Sequence, residues 1–418
     1  MIQLSDNKLI ITLNNGARVA CSHIPYMPTT CIRIYFIGGS RIECESESGS
    51  MHLLEHLMLK TSKERSRAVL LADIDSIGGQ VNAYTARDYI CLYGKVANHH
   101  VPRLIRIISE IILNNHFSDK QVANENSVIL DELNAINDNN EQIAFETSIK
   151  AVYPKSSLSN SIIGVLSVNG ERLGQFKSKH LTGDKTLAVM VGGYTPNDQS
   201  MLTDNICLIE KATSISKPEY PKYVPNITVL NKQTEQNVLF LAFNAYPLIQ
   251  TDTIYLRLLG SIIGSGYASL LNRSLREEHG LCYSVYSYII EFINAGLLGI
   301  CIYYDKHWEK KLLAKLNIEL LKFLNQGISS ELLYKVKEQY IANMIIEYDS
   351  VDTISEKLAL DIIYGHTIST KSEGALVCSS EAEKINFLAK QIIRSDSIGG
   401  CIMGNVSTSD FYFHALCF

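Results

Sequence analysis

The sequence contains no run of lysine and arginine, no basic tail and no C-x-x-C pair. It also has no stretch approaching the roughly 18 apolar residues that a membrane-spanning helix needs. With a net charge of -5 there is no field to gather a polyanion, so nucleic acid is excluded as a natural partner. The opening Met-Ile-Gln-Leu-Ser-Asp-Asn-Lys lacks the basic segment, apolar stretch and small-residue cleavage site of a leader, and the expectation is a cytoplasmic chain with no membrane association. Of 10 cysteines, Cys21, Cys31, Cys91, Cys207, Cys282 and Cys301 mostly stand singly in apolar, strand-like segments. They read as reduced core residues, neither disulfide-bonded nor metal-binding.

What is present is a folded chain: 46% of its residues are apolar and 19% charged, and 418 residues are enough for two domains of about 200 residues each. Residues 8–13 alternate into Asn14-Asn15-Gly16, and residues 31–37 run apolar into Gly38-Gly39, so the chain opens with strands. An acidic, polar stretch over 43–50 leads into residues 52–60, which carry an apolar stripe without Gly or Pro and predict a helix. Helical periodicity returns over 66–77 and 100–114, around a strand-like stretch at 80–96. Residues 118–137 predict a long helix with Ser118 or Asp119 as N-cap.

The second half follows the same order. Residues 237–244 predict a strand, 253–263 a helix, 280–305 strands, and 308–325 and 329–348 two more helices. The paired strings SEIILNNHFSDKQVANENSVILDEL and LLKFLNQGISSELLYKVKEQYIANM each end one helix and begin a longer one after Ser, which argues for duplication. Pro218, Pro221 and Pro225 mark residues 212–225 as a linker between an N-terminal domain, 1–211, and a C-terminal one, 226–418. The fold class expected is α+β: two duplicated domains, each a mostly antiparallel sheet packed with helices.

The sharpest local signal is His-Leu-Leu-Glu-His at 52–56. On a helix, His52 and His56 share a face with Glu55 beside them, which places two metal ligands and a base in one turn. Neutral imidazoles at this spacing suit zinc, and the carboxylate can take a proton from a water there, an inverted H-E-x-x-H arrangement. A catalytic zinc usually takes a third protein ligand. The long helix offers Glu125 and Glu132, seven apart and hence on one face, and either could serve. The second half has no equivalent pentapeptide, so only one half can bind this metal.

H-x-x-E-H followed some 76 residues later by a Glu, with another Glu seven residues before it, resembles the pitrilysin and mitochondrial processing peptidase family of inverzincin metallopeptidases. The resemblance implies His52, His56 and Glu132 as ligands of Zn2+, Glu55 as general base and Glu125 as a carboxylate orienting the ligands. Gly78-Gly79-Gln80-Val81-Asn82-Ala83-Tyr84-Thr85 looks like the family's substrate-pairing edge strand, which assigns substrate binding to Asn82 and Ala83. Leu275-Arg276-Glu277-Glu278-His279-Gly280-Leu281-Cys282-Tyr283 is similar to its L-R-E-x-x-G-L-x-Y stretch, which implies catalytic contacts from Arg276 and Tyr283 to substrate carbonyls. Lys60-Thr61-Ser62 departs from the family's Lys-Gly-Thr.

The resemblance implies a zinc endopeptidase cleaving short unfolded peptides, or a precursor or leader peptide, in the enclosed chamber of a clamshell of which this chain is half. Family members of this length imply a homodimer, with Arg276 and Tyr283 acting in trans, or a heterodimer with a related subunit. The alternative is a non-catalytic or partner-dependent subunit of a heterodimeric processing peptidase, with a scaffold or peptide-binding role; such subunits typically lack part of the metal motif, which is whole here. A non-peptidase zinc hydrolase is disfavoured, because nothing resembles a second metal site or a phosphate-cradling loop.

Overall fold

The computed structural model describes residues 8–60, 65–114, 116–164, 168–212, 219–245, 250–366, 369–406, 416 and 418. Residues 213–218 of the expected linker, Thr61 and Ser62 after the motif, and most of the N-terminal octapeptide lie outside the described residues. Along the chain come β1 (Lys8–Thr12), β2 (Arg18–His23), β3 (Thr29–Ile37), α1 (Ser50–Met58), α2 (Arg67–Ser76), β4 (Gln80–Thr85), β5 (Tyr89–Ala97), α3 (Val101–Leu113), α4 (Asp119–Asp138), α5 (Asn140–Val152), α6 (Gly170–His180), β6 (Thr186–Gly192) and α7 (Pro196–Cys207). There follow β7 (Ile227–Asn231), β8 (Asn237–Asn244), α8 (Gln250–Gly264), a π-helical turn at Asn272–Glu278, β9 (Ser284–Phe292), β10 (Ala295–Tyr304), α9 (Glu309–Gln326), α10 (Ser330–Glu347), α11 (Val351–Tyr364), α12 (Thr370–Ser379), α13 (Ala382–Ile392) and β11 (Gly399–Gly404).

These elements form two compact units. The first comprises Met1–Asn134, Asn160–Pro218 and Ile346–Thr367; the second comprises Ala135–Ser159, Glu219–Ile345 and Ile368–Phe418. The sheet of the first unit has the order β1-β2-β6-β3-β5-β4, antiparallel except for β2 with β6. That of the second has the order β7-β11-β8-β10-β9, antiparallel except for β7 with β11. The α+β duplication expected from the sequence is the architecture found.

Each sheet is covered on both faces, which is why its central strands read as continuous apolar runs. On β8, Leu239, Leu241 and Phe243 join the core under α8 and α9, whereas Val238, Phe240 and Ala242 pack with Ala144, Ile149 and Val152 of α5. On β3, Ile32, Ile34 and Phe36 face the core containing α1 and α3. Cys31 and Tyr35 pack with Val351, Leu358 and Ala359 of α11. Each unit thus receives one covering helix from the other half of the chain.

Two local expectations resolve. Ser118 is the cap of α4, accepting from Gln121 N at 3.4 Å, while Asp119 accepts from Gly170 N at 2.8 Å. Cys207 corrects the reading of the cysteines: it ends α7 and is exposed, whereas Cys21, Cys31, Cys91, Cys282 and Cys301 are buried.

Helix α11 is held by charge as well as by apolar packing. Arg33, 3% exposed, points from β3 beneath it; its Nη2 lies 2.8 Å from Asp352 Oδ1, its Nε donates to Ser355 Oγ at 3.0 Å, and the guanidinium stands 4.9 Å over the Tyr93 ring. Asp352 is half-exposed, but removing it strands the buried Arg33 charge. Asp352→Ala is expected to cost about 2 kcal/mol, below the loss for a fully enclosed pair because Glu356 remains 3.8 Å from the guanidinium. A thermal melt should fall by about 5 °C; a shift under about 1 °C would show that apolar packing alone holds α11.

Candidate metal centre

Helix α1 is built to be buried. Met51, Leu53, Leu54 and Leu57 are at most 1% exposed, and the positions between them carry His52, Glu55 and His56. The two imidazoles lie one turn apart, with ring centroids 4.6 Å from each other. Glu132, on α4, brings its Oε2 to 3.7 Å from His52 Nε2 and 3.4 Å from His56 Nε2. Ligand atoms of the three residues all lie within 4.8 Å of one another, and no other such group of His, Cys, Asp and Glu is found among the described residues.

This donor set fits zinc. Atoms bound to one tetrahedral zinc at about 2.0–2.1 Å stand about 3.3–3.4 Å apart, close to the two spacings observed. Two imidazoles and one carboxylate leave a fourth position, the composition of a catalytic centre. Burial, and after it the neighbouring His56, pushes His52 down to about 4, so it presents the neutral imidazole that a metal requires.

Glu55 lies beside this cluster. Its Oε2 lies 4.0 Å from His52 Nε2 and accepts from Thr85 Oγ1 at 2.8 Å. Burial pushes its carboxyl up to about 7, with the Thr85 hydroxyl pulling the other way. Glu125 is 6% exposed; its Oε2 lies 3.4 Å from His56 Nδ1 and accepts from Lys60 Nζ at 2.5 Å. It can therefore orient the His56 ring while its charge is balanced by Lys60.

Asn82 and Ala83 lie on β4, one of the two edge strands of the first sheet. Asn82 is exposed and its Oδ1 accepts from Ala83 N at 2.9 Å. Tyr84, on the face opposite Ala83, fastens the strand by donating to Glu356 Oε1 at 3.1 Å.

Arg276 and Tyr283 belong to the second unit. Arg276 projects from the π-helical turn, its guanidinium 5.9 Å from the Tyr267 ring. Tyr283 is 70% exposed, with its backbone N–H fixed on Tyr303 O at 2.8 Å. An exposed phenol on a fixed backbone is available to a ligand.

Sequence reasoning assigned no role to Lys60 or Thr85. Lys60 sits eight residues after His52, two turns on along the same face, and Thr85 closes the strand that carries Asn82. Both signals were periodic and could have been read.

Comparisons with known proteins show what the chain is similar to. Residues 18–165 match the family described as Insulinase (Peptidase family M16), and residues 167–340 match that described as Peptidase M16 inactive domain. The chain is 26% identical over 393 residues to the uncharacterized zinc protease YmxG of Bacillus subtilis, covering 92% of this chain and 95% of that one. It is 25% identical over 415 residues to the beta subunit of the mitochondrial-processing peptidase of Mus musculus, covering 95% and 84%. In structure it is similar to a protease from Helicobacter pylori, with a TM-score of 0.86, 16% identity, and coverage of 95% of this chain and 99% of that one. A protein from Pseudomonas fluorescens, titled as a peptidase M16 inactive domain, superposes with a TM-score of 0.88 at 16% identity, covering 96% and 99%. With both halves matched in order, the chain belongs to the insulinase family of peptidases, M16, the pitrilysin and processing-peptidase family.

Proposed function

We propose that the chain is a zinc-dependent endopeptidase acting on short unfolded peptides, or on the leader of a precursor, within an enclosed chamber. The observation that carries this reading is the convergence of His52, His56 and Glu132 at zinc-like spacings with Glu55 Oε2 4.0 Å from His52 Nε2. His52, His56 and Glu132 would hold the metal. Zinc at that place supplies Lewis acidity to the scissile carbonyl and makes water nucleophilic near neutral pH. Glu55 accepts the proton of the attacking water and returns it to the leaving amine. Glu125 holds the His56 ring, and Thr85 holds the Glu55 carboxylate.

Substrate enters as an added strand on β4, its backbone meeting Asn82 and Ala83. Tyr283 donates to the developing oxyanion and Arg276 binds a substrate carbonyl. The peptide is the partner that this chemistry requires. The chain pairs with a second copy, each supplying its Arg276 and Tyr283 to the other in trans, or with a related subunit in a heterodimer. The name of the murine relative, a processing-peptidase beta subunit, favours a precursor peptide as substrate. No helix among the described residues is long and apolar enough to cross a membrane. The cytoplasm stays the proposed location.

Three measurements test the proposal. Purified chain should carry one zinc and cleave unstructured peptides in a chelator-sensitive way, and His52→Ala or Glu132→Ala should abolish cleavage and weaken zinc binding; a variant that cleaves normally or binds zinc as tightly as wild type would refute the ligand assignment. Glu55→Gln should retain zinc and lose about 10²–10⁴-fold in turnover, and a variant of near-normal turnover would remove Glu55 as base. Mixing Glu55→Gln chains with Tyr283→Phe chains should restore part of the activity that each lacks alone, whereas no complementation would place Tyr283 in cis.

A further inference from the structure

Helix α1 has only nine residues, and it begins without a side-chain cap of its own: Gly49, at φ 88°, stands in the N-cap position. Its first N–H groups would be buried without acceptors. Two N–H groups there are met by Glu43, which is 6% exposed; Oε2 accepts from Gly49 N at 2.8 Å and Oε1 from Met51 N at 2.6 Å. The negative carboxylate also suits the positive end of the helix. Gly49 is needed for this approach, because a Cβ there would fall onto the Gly164 carbonyl.

The loop that carries Glu43 is itself bolted down. Gly38 N donates to Asp88 O at 2.6 Å, Ser40 N to Ala86 O at 3.2 Å and Arg41 N to Arg87 O at 3.1 Å. Arg41 Nη1 pairs with Asp88 Oδ1 at 2.6 Å, and Asn160 Nδ2 donates to the carbonyls of Ser40 and Glu43 at 3.2 and 3.0 Å. Ala86, Arg87 and Asp88 form the turn after Thr85, whose hydroxyl holds Glu55. One continuous network therefore runs from the start of α1 to the end of β4.

A helix start is ordinarily capped locally by a serine or aspartate, but the left-handed backbone and the Gly164 carbonyl exclude a side chain at position 49. The chain instead uses a distant buried carboxylate, and burial pushes Glu43 up to about 7 against the pull of its two N–H donors. That is a costly way to cap a helix, but it fixes the helix to the β4–β5 turn and not merely to its own loop. We infer that Glu43 is a positioning residue for the metal site, registering α1 against the end of β4 so that the His52 and His56 imidazoles converge on Glu132. The inference rests on the reading of those three residues as zinc ligands.

The test is zinc affinity, measured on the full chain by competition with a fluorescent chelator, alongside a thermal melt of the metal-free protein. Glu43→Gln puts a donor where an acceptor is needed and should raise the zinc Kd about 10–100-fold. Glu43→Asp, one methylene too short to reach both N–H groups, should raise it by less, and Glu45→Gln, at an exposed neighbour, should leave it unchanged. A Glu43→Gln chain that melts cooperatively, even at lower temperature, and binds zinc within about twofold of wild type would reduce Glu43 to a structural cap and overturn the inference. If Glu43→Gln does not melt cooperatively, Glu43→Asp decides in the same way. Wild-type chain that binds no stoichiometric zinc would instead defeat the underlying ligand assignment.

Discussion

The rest of the site depends on the burial of α1. A nine-residue helix has no stability of its own in water, so it exists only because its apolar side is sealed and its ends are satisfied. With Met51, Leu53, Leu54 and Leu57 committed to the core, His52, Glu55 and His56 are left to face the one direction in which polar partners wait. Those partners come from two other elements: Glu125 and Glu132 from α4, and Thr85 from β4. The polar face is what packing leaves over, held at both ends by charge, with Glu43 at the start of the helix and the Lys60–Glu125 pair at its end.

Duplication supplies the frame in which this happened once. β2-β6-β3-β5-β4 in the first unit and β7-β11-β8-β10-β9 in the second have the same pairing senses, each with one parallel pair. The helix that follows β8 in the second unit is α8, whose Leu256, Leu258, Leu259, Ile262 and Ile263 are buried. It is committed to packing, and no metal-ligating cluster among the described residues includes it. That unit presents Arg276 and Tyr283 instead, from a π-helical turn and the strand start behind it, where irregular backbone brings long polar side chains to the surface.

Patterns confined to one element were legible in the sequence. The apolar run at 237–244 is β8 to the residue, residues 118–137 became α4 with Ser118 as cap, and the pentapeptide lies on a helix as its spacing required. Patterns that depend on what an element meets were not. The periodicity of α5 and α11 gives an apolar face but not the sheet it covers, and each covers the sheet of the other half. Arg33 in an apolar strand gave no hint of its ion pair across more than 300 residues of chain. Glu43 sat in an acidic stretch that reads as a solvated approach to the helix; the overlooked signal was Gly49, a helix start with no polar cap.

The chemistry of the site turns on what His52, His56 and Glu132 hold. The most direct measurement is the zinc K-edge absorption spectrum of the purified, zinc-loaded chain. Two imidazoles and a carboxylate predict a shell of nitrogen and oxygen at about 2.0–2.1 Å, with outer scattering from two rings that weakens in His56→Ala. A sulfur shell at about 2.3 Å, or a spectrum unchanged in that variant, would place the metal elsewhere and contradict the assignment of these three residues as its ligands.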